Sequence, residues 1–288
     1  MKYLYAIILL LFLFSVGCQQ QNQVEPHKVD FAQVQWYAKR ASVAYTTPEN
    51  INKTFPNVTR VATVTGTQVQ YFIENLDKKI AQVVSIRGTA NIKNAIKDAE
   101  YLQSNNKKLG VFVHKGFDTD TYLLYLDLLP YLDKSKEIIL TGHSLGAAIS
   151  TLLMMYLHED GFNLGLSINF GQPKVTNKKG AAKYAGLPLI RVIDENDVVP
   201  LLPPTSVVDS VHGIYQHIGE EIILLEGQFY VLQDQHLQRN TGSNSFWKNL
   251  LNVSVDAHFI KHYIHNIDSK LSGSKQIPFS QRKAYIDI

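Results

Sequence analysis

A serine flanked by glycines, in the pentapeptide GHSLG at residues 142–146, is the strongest chemical signal in this chain. An apolar run over residues 138–140 precedes it, and apolar residues at helical spacing follow it. A nucleophile elbow needs this context of strand, turn and helix, and its two glycines remove Cβ atoms that would collide in the turn. The pattern predicts that Ser144 is a nucleophile and that the Leu145 N–H points at the group under attack. The alternative is a glycine-rich turn without catalytic function.

A serine nucleophile needs a histidine base and a carboxylate that orients the histidine. In α/β hydrolases the order along the chain is serine, acid, histidine, so both partners should follow Ser144. Residues 187–193 indicate a strand, and Asp194, Glu195 and Asp197 come directly after it. Ligands bind beyond such carboxyl ends of strands in a parallel sheet. Spacing does not select among the histidines that follow, which are His212, His217, His236, His258, His262 and His265.

A second backbone donor is needed to complete an oxyanion hole beside the Leu145 N–H. The segment Arg87-Gly88-Thr89 follows a predicted strand over residues 80–86. A glycine at a strand end lets the backbone approach a ligand, and α/β hydrolases take their second donor from a loop after an earlier strand. An ordinary connection between a strand and a helix is the alternative, and these residues alone favour it.

Predicted strands and helices alternate on both sides of the elbow. Further strands are predicted over residues 61–65, 69–73 and 164–170, and helices over residues 29–45 and about 118–132. This alternation predicts an α/β fold with a mainly parallel central sheet and helices on both faces. A chain of 288 residues suits one such domain.

Composition excludes several other classes of protein. The chain is 45% hydrophobic and 18% charged, which is typical of a globular protein. Lys and Arg number 28 against 25 Asp and Glu, too small a surplus for a dedicated nucleic-acid binder. The series His258, His262, His265 has the spacing of a helix stripe, so we expect no metal site. The predicted chemistry needs no cofactor.

The N-terminus has the features of an export signal. Met1 and Lys2 precede an apolar run over residues 3–16, shorter than the roughly 20 residues that span a bilayer. Cys18, the only cysteine, stands where bacterial lipoproteins receive their lipid, although Ser15 replaces the usual leucine. A plain signal peptide with an incidental cysteine is the alternative.

These features predict a lipoprotein signal peptide over residues 1–17 and a lipidated Cys18 that begins a polar tether over residues 18–28. They also predict a single hydrolase domain over residues 29–288. The protein is expected to be exported and lipid-anchored to a bacterial membrane, since lipid on Cys18 would tether a soluble domain. In a Gram-negative cell we expect the outer membrane, because Gln19 is not the aspartate of inner-membrane retention.

Five segments of the chain resemble the fungal-type triacylglycerol lipase family, or class 3 lipases, in the family's own order. The resemblance extends over residues 37–264 and implies the α/β-hydrolase fold. It rests on VSIRGT (84–89), VHKGF (113–117), TGHSLGAA (141–148), FGQPKVTN (170–177) and DVVP (197–200).

The resemblance implies a role for each matching residue. It gives Ser144 as nucleophile, Asp197 as the acid, and His258 as the base, with His262 second and His236 third. The family's histidine precedes a short helix with an aromatic residue within five positions, which His258 fits best.

By the same resemblance, Leu145 and Thr89 supply the oxyanion-hole N–H groups, and Asp194 supports the acid loop. The implied activity is carboxylic-ester hydrolysis of lipase type on a lipid ester. Two other functions stay open: a phospholipase A acting on membrane lipids, and a non-catalytic surface lipoprotein with a retired hydrolase domain.

The segment over residues 91–97 is a candidate lid. Ile92 and Ile96 lie one helical turn apart, with lysines on the other side. A surface helix packed on the core by the same isoleucines is the alternative. Ala95 stands where lids of the family often carry tryptophan, so we expect only weak activation at a lipid interface.

Overall fold

The computed structural model describes residues 29–76, 78–89, 102–204, 212–233 and 255–286. Cys18, the tether, the candidate lid and His236 lie outside the described residues. Within the described part, no helix is long and apolar enough to cross a membrane.

The described strands form two sheets, and five of the strands are the parallel centre of the larger one. In chain order the strands are β1 (Val58–Thr63), β2 (Gln70–Leu76), β3 (Ala81–Ile86), β4 (Gln103–Asn106), β5 (Val111–His114), β6 (Glu137–His143), β7 (Ser167–Phe170), β8 (Thr176–Asn177), β9 (Leu189–Asp194), β10 (Tyr215–Gln216), β11 (Glu220–Leu224), β12 (Phe229–Gln233) and β13 (Lys275–Gln276). The larger sheet has the order β1-β2-β3-β6-β7-β9-β11-β12-β13. Strands β3, β6, β7, β9 and β11 are mutually parallel. Antiparallel pairs occur at β1–β2, β2–β3 and β11–β12, so the predicted mainly parallel sheet is confirmed.

The smaller sheet is antiparallel, in the order β10-β8-β5-β4. The α-helices are α1 (Phe31–Val43), α2 (Pro48–Thr54), α3 (Lys115–Leu128), α4 (Leu145–Glu159), α5 (Lys178–Lys183) and α6 (Ile260–Asp268). Short 3-10 helices occupy Leu129–Tyr131, Val199–Leu201, Asp256–His258 and Phe279–Tyr285.

Helices cover both faces of the larger sheet, as predicted. Along β6, Ile138 and Leu140 belong to one core cluster, which includes the apolar side of α4. Ile139, between them, belongs to the other cluster, which includes residues of α1 and α6. Successive side chains of a strand point to opposite faces, so an unbroken apolar run in β6 buries residues on both sides.

Helix α3 differs from its prediction at both ends. It begins at Lys115 rather than 118, because the His114 ring caps it by accepting a hydrogen bond from the Phe117 N–H at 3.3 Å. It ends at Leu128, where Pro130 lacks the N–H that a further α-helical turn needs. The chain continues as the 3-10 helix Leu129–Tyr131.

Helix α1 is fixed to the sheet by a buried ion pair. The Arg40 guanidinium donates to both carboxylate oxygens of Glu74 in β2, at 2.8 and 3.0 Å, and lies 3.4 Å from the centre of the Trp36 ring. Such a two-pronged pair sets orientation as well as distance. With α1 held in this way, the residues that follow the helix bring Tyr45 to the carboxyl end of β6, beside His143.

Candidate active site

Ser144 lies on a strained turn between β6 and α4. Its backbone has φ 60° and ψ −126°, a conformation that residues with a side chain rarely adopt. A Cβ on Gly146 would lie 2.3 Å from the Ile86 carbonyl oxygen, and one on Gly142 would lie 2.4 Å from the Gly146 backbone. The turn is therefore possible only with glycine at both positions. The strand, turn and helix predicted from the pentapeptide are all present.

The first turn of α4 directs backbone donors toward the serine. Leu145 is the first residue of the helix, and the first N–H groups of a helix have no partner within it. They carry the positive end of the helix dipole, which favours a negative charge placed there. The position of Leu145 thus fits the predicted oxyanion donor.

The loop after β3 reaches the nucleophile. A Cβ on Gly88 would lie 3.2 Å from the Ser144 Cβ and 2.4 Å from the His143 carbonyl oxygen. The backbone of this loop therefore passes directly beside the serine, closer than an ordinary surface connection requires. Thr89 follows next in the same loop, and its donation to an oxyanion stays a prediction.

Asp197 and His258 form a buried pair. The His258 Nδ1 lies 2.7 Å from the Asp197 Oδ2. A carboxylate can only accept a hydrogen bond, so Nδ1 carries the proton. Nε2, which keeps its lone pair, is then the basic atom of the ring. The residues are 4% and 1% exposed, so the pair is removed from competing water.

Asp197 is held ionised by further donors. Its Oδ2 also accepts the Tyr263 hydroxyl at 2.5 Å, and its Oδ1 accepts the Val199 N–H at 2.9 Å. Burial raises the pKa of Asp197, but the charge and hydrogen bond of His258 and the bonds from Tyr263 and Val199 outweigh it. The pKa therefore lies below its usual value, and the carboxylate can support a positive imidazole.

The reactive atoms of Ser144 and His258 are both left available. Ser144 Oγ and His258 Nε2 are buried, and neither has a hydrogen-bond partner among the described residues. The Ser144 N–H donates to the Phe170 carbonyl at 3.0 Å, and a Cβ on the following Gly171 would lie 2.9 Å from the His258 ring. In free enzymes the bond between nucleophile and base is often long and shortens in the substrate complex.

The alternative acid and base residues pair with each other instead. His262 Nε2 lies 3.3 Å from Asp194 Oδ2, which also accepts Asn266 Nδ2 at 2.9 Å. Asp194 Oδ1 accepts the Asn196 N–H at 3.0 Å, so this carboxylate supports the loop, as expected. Of the other histidines, His217 Nε2 bonds the Pro200 carbonyl.

Two contributors to the site had not been singled out from sequence. Tyr263 lies five positions after His258, and its hydroxyl is shared between Asp197 and the Asp194 N–H, which it accepts at 3.2 Å. Lys174 is buried in the segment after β7, and its ammonium donates to the Leu201 and Pro203 carbonyls at 2.7 and 3.0 Å. An aromatic at that spacing from His258 was the available signal for Tyr263.

The described ranges contain no group of three or more His, Cys, Asp or Glu side chains that could hold a metal ion.

Part of the chain is similar in sequence to known proteins. The profile of the family described as lipase (class 3) matches residues 83–207. A secreted mono- and diacylglycerol lipase 1 from Fusarium solani is 31% identical over 176 residues, which are 56% of this chain and 48% of that protein. A phospholipase A1-II 6 from Oryza sativa subsp. japonica is 31% identical over 137 residues, which are 42% of this chain and 30% of that protein. The chain spans about half the length, or less, of these curated relatives.

A solved structure agrees in fold. The crystal structure of a lipase from Rhizopus microsporus var. chinensis superposes with a TM-score of 0.58 at 26% identity. The match covers 67% of this chain and 74% of that one.

The first prediction separates the two Asp–His pairs. His258→Ala and Asp197→Ala should each lower the rate of ester hydrolysis by about 10³-fold or more, because members of a triad act as a unit. His262→Ala and Asp194→Asn are the matched controls and should keep most activity, since neither touches the Asp197–His258 bond. Steady-state rates on a p-nitrophenyl ester, with circular dichroism to check folding, measure this. An inactive His262→Ala with an active His258→Ala would reassign the base.

The second prediction concerns the pH dependence of stability. The hydrogen bond to Asp194 raises the pKa of His262 above its ordinary value. A group whose pKa is raised in the folded state stabilises it below the unfolded pKa, and this contribution is lost as pH rises through the folded pKa. His262→Gln should therefore lower Tm more at about pH 5.5 than at about pH 9. Thermal unfolding at both pH values measures it, and an equal loss at both would contradict the ion pair.

Proposed function

We propose that this protein is a serine carboxylic-ester hydrolase of lipase type. Its substrates are acylglycerols or related lipid esters. The proposal is supported by the match of residues 83–207 to the class 3 lipase profile and by the α/β-hydrolase fold. The observation that carries the proposal is a buried histidine whose Nδ1 lies 2.7 Å from a buried carboxylate and whose ring packs against His143, the residue before the elbow serine.

In the acylation half-reaction, Ser144 Oγ attacks the ester carbonyl carbon while His258 Nε2 takes the hydroxyl proton. Asp197 keeps the proton of Nδ1 in place and stabilises the imidazolium that forms. The carbonyl oxygen becomes an oxyanion, which the Leu145 and Thr89 N–H groups stabilise. His258 then gives its new proton to the leaving alcohol as the ester bond breaks.

In the deacylation half-reaction, water replaces the alcohol. His258 removes a proton from the water as its oxygen attacks the acyl-enzyme. The second oxyanion collapses, the bond to Ser144 Oγ breaks, and His258 returns the proton to the serine. The fatty acid leaves, and the starting state is restored.

Phospholipase A activity is the second candidate, favoured by the similarity to the rice phospholipase A1. Acylglycerols and phospholipids are both carboxylic esters of glycerol, so the same triad serves either. The two activities differ in whether the protein accommodates a phosphate head group. Against a retired domain stand the presence of all three residue types of the proposed triad and the bond between its histidine and its carboxylate.

The third prediction tests this function. Wild-type protein should be labelled by a fluorophosphonate and hydrolyse p-nitrophenyl esters, and Ser144→Ala should lose the label and about 10³-fold or more of the rate while it stays folded. A panel of mono-, di- and triacylglycerols and diacyl phospholipids then ranks the substrates. An unlabelled, inactive wild type would contradict the hydrolase proposal, and faster release from phospholipids would favour phospholipase A.

We also propose that the chain is an exported lipoprotein, held to a bacterial membrane by lipid on Cys18. The support is the apolar run before a lone cysteine and the polar stretch that separates it from α1. In a Gram-negative cell the outer membrane is the proposed location. Such an anchor would keep the enzyme at a lipid surface without a strongly apolar lid.

The fourth prediction tests the anchor. In cells given labelled palmitate, wild-type protein should take up the label and Cys18→Ser should not, because only the thiol can form the thioether to lipid. Ser15→Ala is the matched control and should keep the label. Mature protein that begins at a residue other than 18 would contradict the lipoprotein signal.

A further inference from the structure

His143, the residue directly before the nucleophile, is buried and uses both ring nitrogens. Its Nε2 lies 2.6 Å from the carbonyl oxygen of His258, and its Nδ1 lies 2.8 Å from the phenol oxygen of Tyr45. A carbonyl oxygen only accepts, so Nε2 carries the proton. The Nδ1 of the neutral ring therefore accepts the Tyr45 hydroxyl.

The environment keeps this ring neutral. Burial, and next the charge of His258, lower the pKa of His143 to about 3. The two rings are 4.6 Å apart between centres. A proton on His143 would place a second positive charge beside the imidazolium that catalysis creates on His258, so neutrality favours the reaction.

Tyr45 has a second partner, in the loop after β3. The backbone of Gly88 packs directly against the Tyr45 phenol oxygen. The approach is so close that a Cβ on Gly88 would lie 2.4 Å from that oxygen. Two hydrogen bonds therefore join Tyr45 through His143 to the backbone of His258, and close packing joins Tyr45 to Gly88; together these contacts are called the Tyr45–His143 link.

We propose that Tyr45 and His143 are positioning residues that hold the oxyanion loop and the base in register with the nucleophile. The inference rests on the proposed hydrolase function and assigns these residues a part in it. Neither side chain reacts: each acts through the segment that it holds.

The Tyr45–His143 link is needed because the reactive groups come from segments that are far apart in the sequence. Thr89 follows β3, Ser144 follows β6, and His258 lies 115 positions after His143, so no local structure fixes their distances. Asp197 holds only the Nδ1 side of the His258 ring, and the bond from His143 fixes the backbone that carries it. Misplacing a reacting group by about 1 Å can cost a factor of about 100 in rate.

The fifth prediction is tested by removing one hydroxyl. Tyr45→Phe should lower kcat by about 10- to 100-fold and leave KM for a short p-nitrophenyl ester nearly unchanged, because the hydroxyl that is removed bonds His143. Tyr37→Phe is the matched control: it removes a buried hydroxyl of α1 that donates to the Leu166 carbonyl. Both variants should lose similar stability, but Tyr37→Phe should keep the wild-type kcat. A Tyr45→Phe enzyme with wild-type kcat would overturn the proposal.

Variants of His143 give an independent measurement. The amide of His143→Gln can still donate to the His258 carbonyl, whereas His143→Leu cannot, so the glutamine variant should retain the higher kcat at equal folding. The double variant Tyr45→Phe/His143→Leu should lose less kcat than the product of the two single losses, because both substitutions interrupt the same Tyr45–His143 link. Strictly multiplicative effects, or equal kcat for the glutamine and leucine variants, would overturn the proposal.

A readout without activity separates this inference from the proposed function. Nitrogen-15 NMR of wild-type protein should show His143 as the neutral Nε2–H tautomer from neutral pH down to about pH 5. A protonated ring or an Nδ1–H tautomer in that pH range would contradict the Tyr45–His143 link and overturn the proposal, whatever the activity. A wild type could instead show the expected tautomer but be inactive and unlabelled by fluorophosphonate. That result would refute the hydrolase function, and with it a role of the Tyr45–His143 link in catalysis.

Discussion

The backbone of Ser144 is forced into a conformation that costs free energy, and the surrounding packing holds it there. Helix α4 starts so close to the end of β3 that only glycine fits at residue 146, where a Cβ would come within 2.3 Å of the Ile86 carbonyl. The Ser144 N–H is bonded to Phe170 in the neighbouring strand. This tight meeting of β3, β6, β7 and α4 lifts the serine above the sheet and brings the loop at Gly88 to its side. The geometry of the site follows from that crowding.

Electrostatics in the buried site is built around one ionised carboxylate. Asp197 is supplied with donors from His258, Tyr263 and Val199, so its charge is satisfied before any substrate arrives. The nearby His143 is kept neutral by burial. A positive charge that develops on His258 thus meets the negative charge of Asp197 and, at His143, a neutral ring. Such preorganised surroundings stabilise a transition state without having to rearrange.

Helix α1 connects the site to the N-terminal part of the chain. The Arg40–Glu74 pair fixes this helix against β2, and the chain after it places Tyr45 between Gly88 and His143. The proposed tether ends at residue 28, just before the aspartate that caps α1 by accepting from Ala32 and Gln33. Helix α1 thus lies between the proposed tether and Tyr45, the proposed positioning residue.

The sequence by itself determined the elements whose signals are local. The elbow, the parallel sheet covered on both faces and the acidic end of β9 were all predicted from runs of neighbouring residues, since periodicity and glycine placement report on adjacent backbone. Tertiary structure alone decided which residues meet across the fold. Spacing did not separate His258 from His262 and the family resemblance ranked His258 first; the packing of this segment shows that His258 bonds Asp197 while His262 bonds Asp194. The roles of Tyr45 and His143 were hidden, because a hydrogen bond between residues 98 or 115 positions apart leaves no pattern along the chain.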